Sequence, residues 1–435
     1  MKSHGHLLRV LGVGFGLAVI IGNTIAAGIF GAPGVIAAQL PAPAPFLLVW
    51  IAAGLYALLG AISLAELGTM LPRSGGQYVF SRYALGEYAG FIVGWSDWIS
   101  SCGSTAAVAL LIGTFSAVLI PALAGKAVAV AAGVAILFAL LQWRGIVWGS
   151  NIQNLTSLLK ALAFLALIAA AFVFGDGGSL TTSETHATSA ITLTAVIVSL
   201  QAAIYTYDGW AGVIYFSEEV KHPGRDIPRS LLAGVLTIAG IYVLVNLALL
   251  YVLPISQIAG KEFAAGEAAN TLFGTHGDKI FRCLTIASML SGINALHLMA
   301  TRVIFAMSRD GLFTSKAAVV NEGGTPAVSL FLSALVALLF IVFGQRFGRV
   351  ISVLAFFFVA NYILSFISLF VLRRREPDKP RPYRAWGYPV TPALALTGSV
   401  LFLVGAIWTD TQNSAYALGL LAVSYPVFRV VKKLS

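Results

Sequence analysis

Residues 19–34 read VIIGNTIAAGIFGAPG and lie inside an apolar segment long enough to cross a membrane. The middle of this stretch holds Gly22, Asn23, Thr24 and Gly28, and Pro33 follows, so a continuous helix is disfavoured there. In hydrocarbon, each backbone amide or carbonyl group without a partner is costly. Such an interruption is tolerated where the freed groups line a cavity or hold a ligand. The stretch therefore predicts a broken membrane helix with a binding site at the break.

The composition of the whole chain is that of a polytopic helical membrane protein. Of its 435 residues, 58% are hydrophobic and 10% are charged, and its mean hydropathy is +0.89. Soluble domains carry roughly 25% charged residues, and so few charges cannot cover a water-soluble particle of this size. Apolar runs of about 20 residues, each long enough to span a membrane, recur along the chain. A membrane β-barrel would instead show short segments of alternating hydrophobicity.

Twelve membrane spans are expected, most of them separated by breaks rich in proline, glycine or charge. They lie near residues 10–38, 46–70, 87–119, 124–142, 152–174, 190–217, 230–253, 279–307, 327–344, 348–372, 388–408 and 412–431. A cleaved signal peptide over residues 1–28 is an alternative, because Lys2 and Arg9 precede an apolar run ending in Ala-Ala-Gly. We reject it, since the apolar character resumes at once through Ala38.

The lysine and arginine residues set the orientation of the spans. Of the 27, 20 fall on one side of the expected topology, six fall on the other, and Lys160 falls within a span. The positive-inside rule makes the rich side cytoplasmic. Both termini are therefore expected in the cytoplasm, with the protein in the inner (cytoplasmic) membrane. The net charge of +10 follows from this topology and implies no nucleic-acid partner. Cys102 and Cys283 both fall in expected helices, so no disulfide framework holds the loops.

A second interruption, YTYDGWAG over residues 205–212, falls in the sixth span. The first and sixth spans take equivalent places if the first ten spans form two five-helix halves. We therefore expect one transmembrane domain over residues 1–435, with a first repeat at 10–174, a second at 190–372 and two additional helices at 388–431. With five spans in each half, the two repeats are inverted relative to one another.

The first break offers groups of both signs to a ligand. A new helix N-terminus at Ala27 and Gly28 carries roughly half a positive charge, which suits a carboxylate. The carbonyl groups that end the first half-helix near Thr24 suit an ammonium, so the break has both groups that a zwitterionic amino acid requires. The alternative is that the small residues only allow close helix packing. Two breaks at matching positions favour the binding site.

Four ordered stretches resemble the amino acid–polyamine–organocation transporter family, nearest to its bacterial members of the L-amino-acid transporter type. They are IGNTIAAGIFGAPG in the first span, AELGTMLPRSGGQYVF after the second, YDGWAGVIYFSEEVKHPGRDIPRS around the sixth and ATRVIFAMSRDGLF at the end of the eighth. The resemblance covers residues 8–432. It implies an all-α LeuT fold with a five-plus-five inverted repeat and two further helices, in which helix bundles rock to give alternating access.

By motif position, the resemblance implies a substrate site at the two breaks. The amides of Ala27 and Gly28 would bind the substrate carboxylate, and the carbonyls of Thr24, Tyr205 and Asp208 would face its α-amine. Tyr205 would also form an aromatic gate. The chain departs from the family pattern at positions 26 and 27, where glycine and then serine or alanine are commonest, but the backbone donors remain. The expected substrate-binding residues are Thr24, Ala26, Ala27, Gly28, Tyr205, Thr206 and Asp208.

Lys160 lies within the fifth span, in the stretch NLTSLLKALAFLALI. An ammonium at a helix centre costs about 2.5–3.5 kcal/mol on the insertion scale, so it requires a partner. By the resemblance, this ammonium takes the place of the sodium ion of sodium-coupled LeuT-fold transporters. Its expected contacts are carbonyls near Gly22 and the hydroxyls of Ser288 or Ser291, and transport is expected without sodium. The alternatives are that Lys160 snorkels to the inner interface or takes part in proton coupling.

Other acidic residues have structural interpretations. Asp208 can cap the second half of the sixth span or form a salt bridge with the substrate amine. We expect inner-gate or structural ion pairs for four further acids, with the first two near the cytoplasmic ends of their spans: Glu66, Asp97, Glu218 and Glu219.

The sequence points away from enzymes and channels. The six histidines form no nucleophile–base set and no metal cluster, so no catalytic residue, metal or cofactor is expected. A channel would use a selectivity filter or a ring of charges, usually built from repeated subunits. A receptor without transport activity remains an alternative of a different class.

The expected function is sodium-independent secondary transport of neutral L-amino acids, by exchange or proton coupling. The alternative is a cationic amino acid or polyamine antiporter, but that cargo would favour several acidic groups in the pocket, and Asp208 alone is evident. The expected partners are the amino acid, protons in the case of coupling, and the lipid bilayer. The loop PALAGK has no cysteine, so no disulfide-linked heavy subunit is expected, and the chain would be a monomer or weak homodimer.

Overall fold

The protein is a bundle of membrane-length helices, as the computed structural model of residues 7–26, 28–178, 191–343 and 347–434 describes it. In chain order its helices are α1 Val13–Thr24, α2 Gly28–Gln39, α3 Pro43–Met70, α4 Gln77–Leu85, α5 Glu87–Leu119, α6 Ala127–Trp143, α7 Ile146–Phe174, α8 Leu193–Tyr207, α9 Pro223–Val252, α10 Ile255–Ile258, α11 Ala264–Phe273, α12 Gly277–Arg309, α13 Ala327–Phe343, α14 Phe347–Arg375, α15 Val390–Thr409 and α16 Thr411–Leu434.

The predicted spans coincide with these helices. Within the described residues, eight helices are long and apolar enough to cross a membrane, and there are nine spans if α1 and α2, which are bent by 47° at the break, count as one. The predicted fourth and ninth spans correspond to the shorter apolar helices α6 and α13. The predicted sixth span corresponds to α8 with the segment that follows it, although residue 190, where it was expected to begin, lies outside the described residues. The all-α membrane architecture is therefore confirmed.

Several boundaries differ from the expected ones. Helix α7 begins at Ile146, six residues before the predicted fifth span, and α9 begins at Pro223 instead of residue 230. Three helices were not expected: α4 after the second span, and α10 and α11 between the seventh and eighth. These helices are short and only partly apolar, so hydropathy alone does not reveal them. The division into two inverted repeats stays a prediction.

The centre of the bundle is formed by the helices that pack around the first span. Helix α1 contacts α7, α9 and α12, while α3 packs along α9 and α5 along α12. In the most apolar stretch of α12, 72% of the residues are buried, whereas the figure for α16 is 22%. Helices α15 and α16 therefore lie at the periphery. Leucine and valine side chains exposed on these outer helices, such as Leu401 and Val404, suit contact with lipid.

Candidate functional site at the two helix breaks

The first span is interrupted where the sequence predicts it. Helix α1 ends at Thr24, Ile25 leaves the helical conformation with φ −77° and ψ 74°, and α2 begins at Gly28. The Ala26 amide donates to the Thr24 carbonyl at 2.8 Å. Ala27, predicted to bind substrate, lies outside the described residues. The break thus frees backbone groups next to the N-terminus of α2.

The second break begins where α8 ends, at Tyr207. Asp208 is extended, with ψ 148°, and Gly209 has φ +106°, a conformation that favours glycine. The chain then runs through turns and the 3₁₀ helix Gly212–Phe216. Between the described residues 208 and 222 no α-helix resumes. The expectation that Asp208 caps a helical second half of this span is therefore wrong: Asp208 follows the C-terminus of α8.

The two breaks touch each other through glycine. A Cβ atom on Gly209 would lie 2.7 Å from Asn23 Nδ2 and 3.0 Å from the Thr24 amide nitrogen. A Cβ atom on Gly28 would lie 2.9 Å from the Cα atom of Thr206. A larger residue at either position would force the segments apart, so glycine is what allows the two breaks to form one site.

A tyrosine hydroxyl joins the two breaks. The hydroxyl of Tyr242, in α9, lies 2.7 Å from the Thr24 carbonyl oxygen and 3.1 Å from the Thr206 carbonyl oxygen. The Tyr242 side chain is fully buried, and its ring makes edge contacts with Trp50 and Tyr207. One hydroxyl, with a single proton shared between two acceptors, therefore links carbonyls from both interrupted spans. Sequence analysis missed Tyr242, because nothing in its surrounding apolar run distinguishes it from a packing residue.

A cavity lies between the breaks. The space inside it that the centre of a water-sized sphere can occupy is about 60 Å³. Its lining includes every described residue predicted to bind substrate: Thr24, Ala26, Gly28, Tyr205, Thr206 and Asp208. The spans that complete the wall are α5, α12 and α14.

The backbone acceptors at the breaks are partly occupied. The Thr24 carbonyl accepts hydrogen bonds from Tyr242 and from the Ala26 amide, and the Tyr205 carbonyl accepts one from the Asp208 amide. The hydroxyl of Thr24, by contrast, is buried and has no hydrogen-bond partner among the described residues. A buried hydroxyl without a partner carries a desolvation cost that a ligand can relieve. This atom marks the cavity as a place for a polar ligand.

Two carboxylates line the cavity, the partly buried Asp208 and the buried Asp97, and each is bonded to a tyrosine. Asp208 accepts a hydrogen bond from the Tyr362 hydroxyl at 2.7 Å. The Asp97 oxygens lie 2.9 and 2.8 Å from the Tyr215 hydroxyl, and Asp97 is 2% exposed. The expectation of an ion pair for Asp97 is therefore wrong, since among the described residues it has a tyrosine partner and no cationic one.

Lys160 reaches the end of α1. Its ammonium nitrogen lies 2.8 Å from the Gly22 carbonyl oxygen and 2.5 Å from that of Ile25, and the residue is 2% exposed. Ser288, also predicted as a contact, lies with its hydroxyl 3.5 Å from the same Ile25 carbonyl. These carbonyls have lost their helical partners at the break, and an ammonium satisfies them with charge-assisted hydrogen bonds.

Ser291 belongs to a neighbouring polar network and not to the Lys160 contacts. Its hydroxyl lies 2.9 Å from that of Ser157 and 3.1 Å from Gln153 Nε2. Gln153 also donates to the Ala18 carbonyl, and its Oε1 accepts from Asn294 at 2.8 Å. This network ties α7 and α12 to α1 at Ala18, nearly two turns before the break. Gln153, a polar residue within a span, was a signal that sequence analysis left unused.

Three of the acids expected in ion pairs do form them. Glu219 pairs with Arg302 at 2.9 Å with both side chains fully buried, and Glu218 pairs with Arg309 at 2.8 Å. Glu66 lies within 3.0 Å of both Arg373 and Arg381. These pairs join spans 2, 6, 8 and 10 on the side predicted to be cytoplasmic.

A helical membrane protein whose two interrupted spans meet around a polar cavity has the architecture of a secondary transporter. The model of a family described as amino acid permease matches residues 15–427. The chain belongs to this family of amino acid transporters, and the resemblance found in the sequence is confirmed. Within the described residues, no group of three or more histidine, cysteine, aspartate or glutamate side chains could hold a metal ion.

Characterised relatives align over most of the chain. The serine/threonine exchanger SteT of Bacillus subtilis is 28% identical over 432 residues, which cover 98% of each protein. The human b(0,+)-type amino acid transporter 1 is 25% identical and is aligned over 92% of this chain and 82% of its own length. The human large neutral amino acids transporter small subunit 2 is also 25% identical and is aligned over 97% of this chain and 80% of its own length.

Proposed function

We propose that this protein exchanges neutral L-amino acids across the cytoplasmic membrane by alternating access, without sodium and with both termini in the cytoplasm. The observation that carries the proposal is the meeting of the two breaks at one cavity, which Thr24, Gly28 and Asp208 all line. Relatives named as a serine/threonine exchanger and a large neutral amino acids transporter support both exchange and neutral cargo.

In this proposal the breaks bind the two charged ends of the amino acid. The N-terminus of α2 at Gly28 receives the carboxylate together with the Ala27 amide that the sequence assigns to it, because helix N-termini present free amides and a partial positive charge. The α-amine is received by acceptors at the other side of the cavity: the Thr24 hydroxyl, the Tyr205 carbonyl and the Asp208 carboxylate. The unpartnered Thr24 hydroxyl supports this arrangement, since it adds an acceptor that the sequence-based assignment did not include.

Lys160 serves in this proposal as a built-in cation. Its hydrogen bonds to Gly22 and Ile25 support that role, because they occupy the carbonyls that a bound metal cation would otherwise neutralise. An ammonium held in this way is present whatever the sodium concentration, and the transport cycle then needs no sodium gradient.

Counterflow in proteoliposomes tests the proposed function. Vesicles loaded with unlabelled amino acid should accumulate the labelled one transiently, and empty vesicles should not. A receptor would bind without accumulation, and a channel would equilibrate the label in empty vesicles as well. Uptake into empty vesicles that is driven by an inward proton gradient would replace exchange with proton coupling.

Cationic amino acids or polyamines remain the second candidate cargo, and one observation favours them. The cavity contains Asp97 in addition to Asp208, so its acidic lining is larger than the sequence indicates. Counterflow with lysine, ornithine and putrescine beside leucine and alanine separates the two candidates.

The proposal also includes assembly. The loop of residues 120–126 between α5 and α6 contains no cysteine, which supports function without a disulfide-linked heavy subunit, as a monomer or weak homodimer. Transport by the purified chain alone is the expected result, and a strict need for a second protein would contradict it.

A further inference from the structure

The carboxylate of Asp97 has acceptor capacity that the protein leaves unused. Both of its oxygens approach the single Tyr215 hydroxyl, which has one proton to donate. An ionised carboxylate can accept about four hydrogen bonds. Among the described residues, no second donor approaches Asp97, and the residue is buried. The remaining acceptor positions belong to the cavity that Asp97 lines.

Asp97 is part of a polar face of α5. Asp97, Ser101 and Ser104 follow the spacing that places side chains on one side of a helix, and all three line the cavity. A cavity wall meant only for an apolar side chain would carry none of these groups, because a buried polar group without a partner is costly. This wall suits a substrate side chain that is itself polar.

Among the described residues that line the cavity, none is a cation that could balance the two acids. Its described lining contains Asp97 and Asp208 but no lysine, arginine or histidine. The Lys160 ammonium is directed to the carbonyls of Gly22 and Ile25 and does not line the cavity. A buried carboxylate without a cation is costly, so a hydrogen-bond donor or cation carried by the ligand would lower this cost.

We propose that Asp97 determines substrate specificity by accepting a hydrogen bond from the side chain of the transported amino acid. The cavity then selects amino acids whose side chains end in a donor, a hydroxyl or an ammonium, over apolar amino acids of the same shape. This inference rests on the proposed function, because it assigns the cargo of the same site.

The expected discrimination is large. A site built to hydrogen-bond a substrate group rejects the analogue that lacks it, because the group in the protein is then left unpaired. A hydrogen bond to a charged group corresponds to about a tenfold to hundredfold preference. Two pairs of amino acids of similar shape differ in the side-chain donor. Threonine and valine differ in a hydroxyl, and ornithine and norvaline differ in an ammonium.

The test is counterflow with purified wild-type protein and Asp97→Ala, measuring initial rates for both pairs. For at least one pair, the wild type should exchange the amino acid with the donor about tenfold or more faster than the one without it. In Asp97→Ala this ratio of initial rates should be close to one. Ser100→Ala is the matched control, since Ser100 lies on α5 outside the cavity lining and its hydroxyl donates to the Asp97 carbonyl. This control should keep the wild-type ratio.

The outcomes separate this inference from the proposed function. Ratios near one for both pairs in the wild type overturn the inference while transport stands, and that result does not depend on how well the variant folds. A ratio that survives in Asp97→Ala overturns it as well. Wild-type protein that exchanges no amino acid contradicts the proposed function itself. Preference for ornithine over norvaline identifies the donor as an ammonium, and preference for threonine over valine identifies it as a hydroxyl.

Discussion

The ammonium of Lys160 lies 2.8 Å from the Gly22 carbonyl oxygen, so α7 is joined to the last turn of α1 by a charged hydrogen bond at the edge of the break. The same nitrogen also contacts the Ile25 carbonyl. One side chain therefore satisfies two backbone groups that the interruption deprives of helical partners.

Replacement of Lys160 tests this contact. Lys160→Ala removes hydrogen bonds worth about 1.5–3 kcal/mol each, so we expect exchange rates to fall at least about tenfold while membrane insertion persists. Counterflow rates across a range of pH, normalised to inserted protein, measure the effect. Thr156→Ala is the control, because the Thr156 hydroxyl bonds within its own helix. Unchanged kinetics at every pH would leave Lys160 without a role in transport.

Sodium should leave uptake unaffected. If the Lys160 ammonium provides the cation at the end of α1, a sodium ion has no vacant carbonyl set there and would meet electrostatic repulsion. Counterflow rates in sodium chloride and in choline chloride at equal ionic strength should agree. Stimulation of the wild type by sodium would contradict the built-in cation. Uptake by Lys160→Ala that becomes sodium-dependent would support it.

The hydroxyl of Tyr242 is expected to stabilise both breaks and so to increase substrate affinity. Tyr242→Phe keeps the ring contacts with Trp50 and Tyr207 but removes the donor to the carbonyls of Thr24 and Thr206. A neutral hydrogen bond contributes about 0.5–1.5 kcal/mol, so we expect substrate affinity to fall about twofold to tenfold. Thermal-shift titration with the preferred amino acid measures it. Tyr425→Phe, an exposed change on α16, should bind as the wild type does; equal affinity in Tyr242→Phe would refute the role.

Gly209 is expected to tolerate no side chain. In Gly209→Ala the positive φ costs about 1–2 kcal/mol, and the new Cβ atom would crowd Asn23 and the Thr24 amide. We expect transport to be lost and the melting temperature to fall. Gly419→Ala on α16 is the control, since a Cβ atom there meets no atom within 4 Å. Normal exchange by Gly209→Ala would mean that the breaks do not have to touch.

The positions of the breaks could be predicted from sequence because small and polar residues inside an apolar run have few explanations in a membrane. The expected location of Asp97 was wrong for a geometric reason. Helix α5 begins at Glu87, and ten residues at 1.5 Å each carry Asp97 roughly 15 Å along the axis, to the depth of the cavity. The predicted span began at the same residue, so the error was to treat Asp97 as close to the helix end although it lies nearly three turns along the helix.

Tyr242 illustrates what a single sequence does not reveal. Its partner Thr24 is 218 positions away along the chain, and the contact exists only because α9 packs along α1. In the same way, the hydrogen bond from Asn294 to Gln153 joins α12 to α7, and no local sequence pattern predicts it. Residues that bind through their backbone can be predicted because they interrupt an apolar helix. Residues that stabilise those interruptions through long-range contacts can be identified only in the folded structure.

The glycine contacts between the two breaks have a mechanical consequence. Gly28 lies against the main chain and side chain of Thr206, and Gly209 lies against the Thr24 amide and the Asn23 side chain, so closely that neither position has room for a Cβ atom. Closely packed atoms compress very little. We therefore expect a displacement of one interrupted span to be transmitted to the other. A ligand that displaces one of the two segments is then expected to displace the other with it.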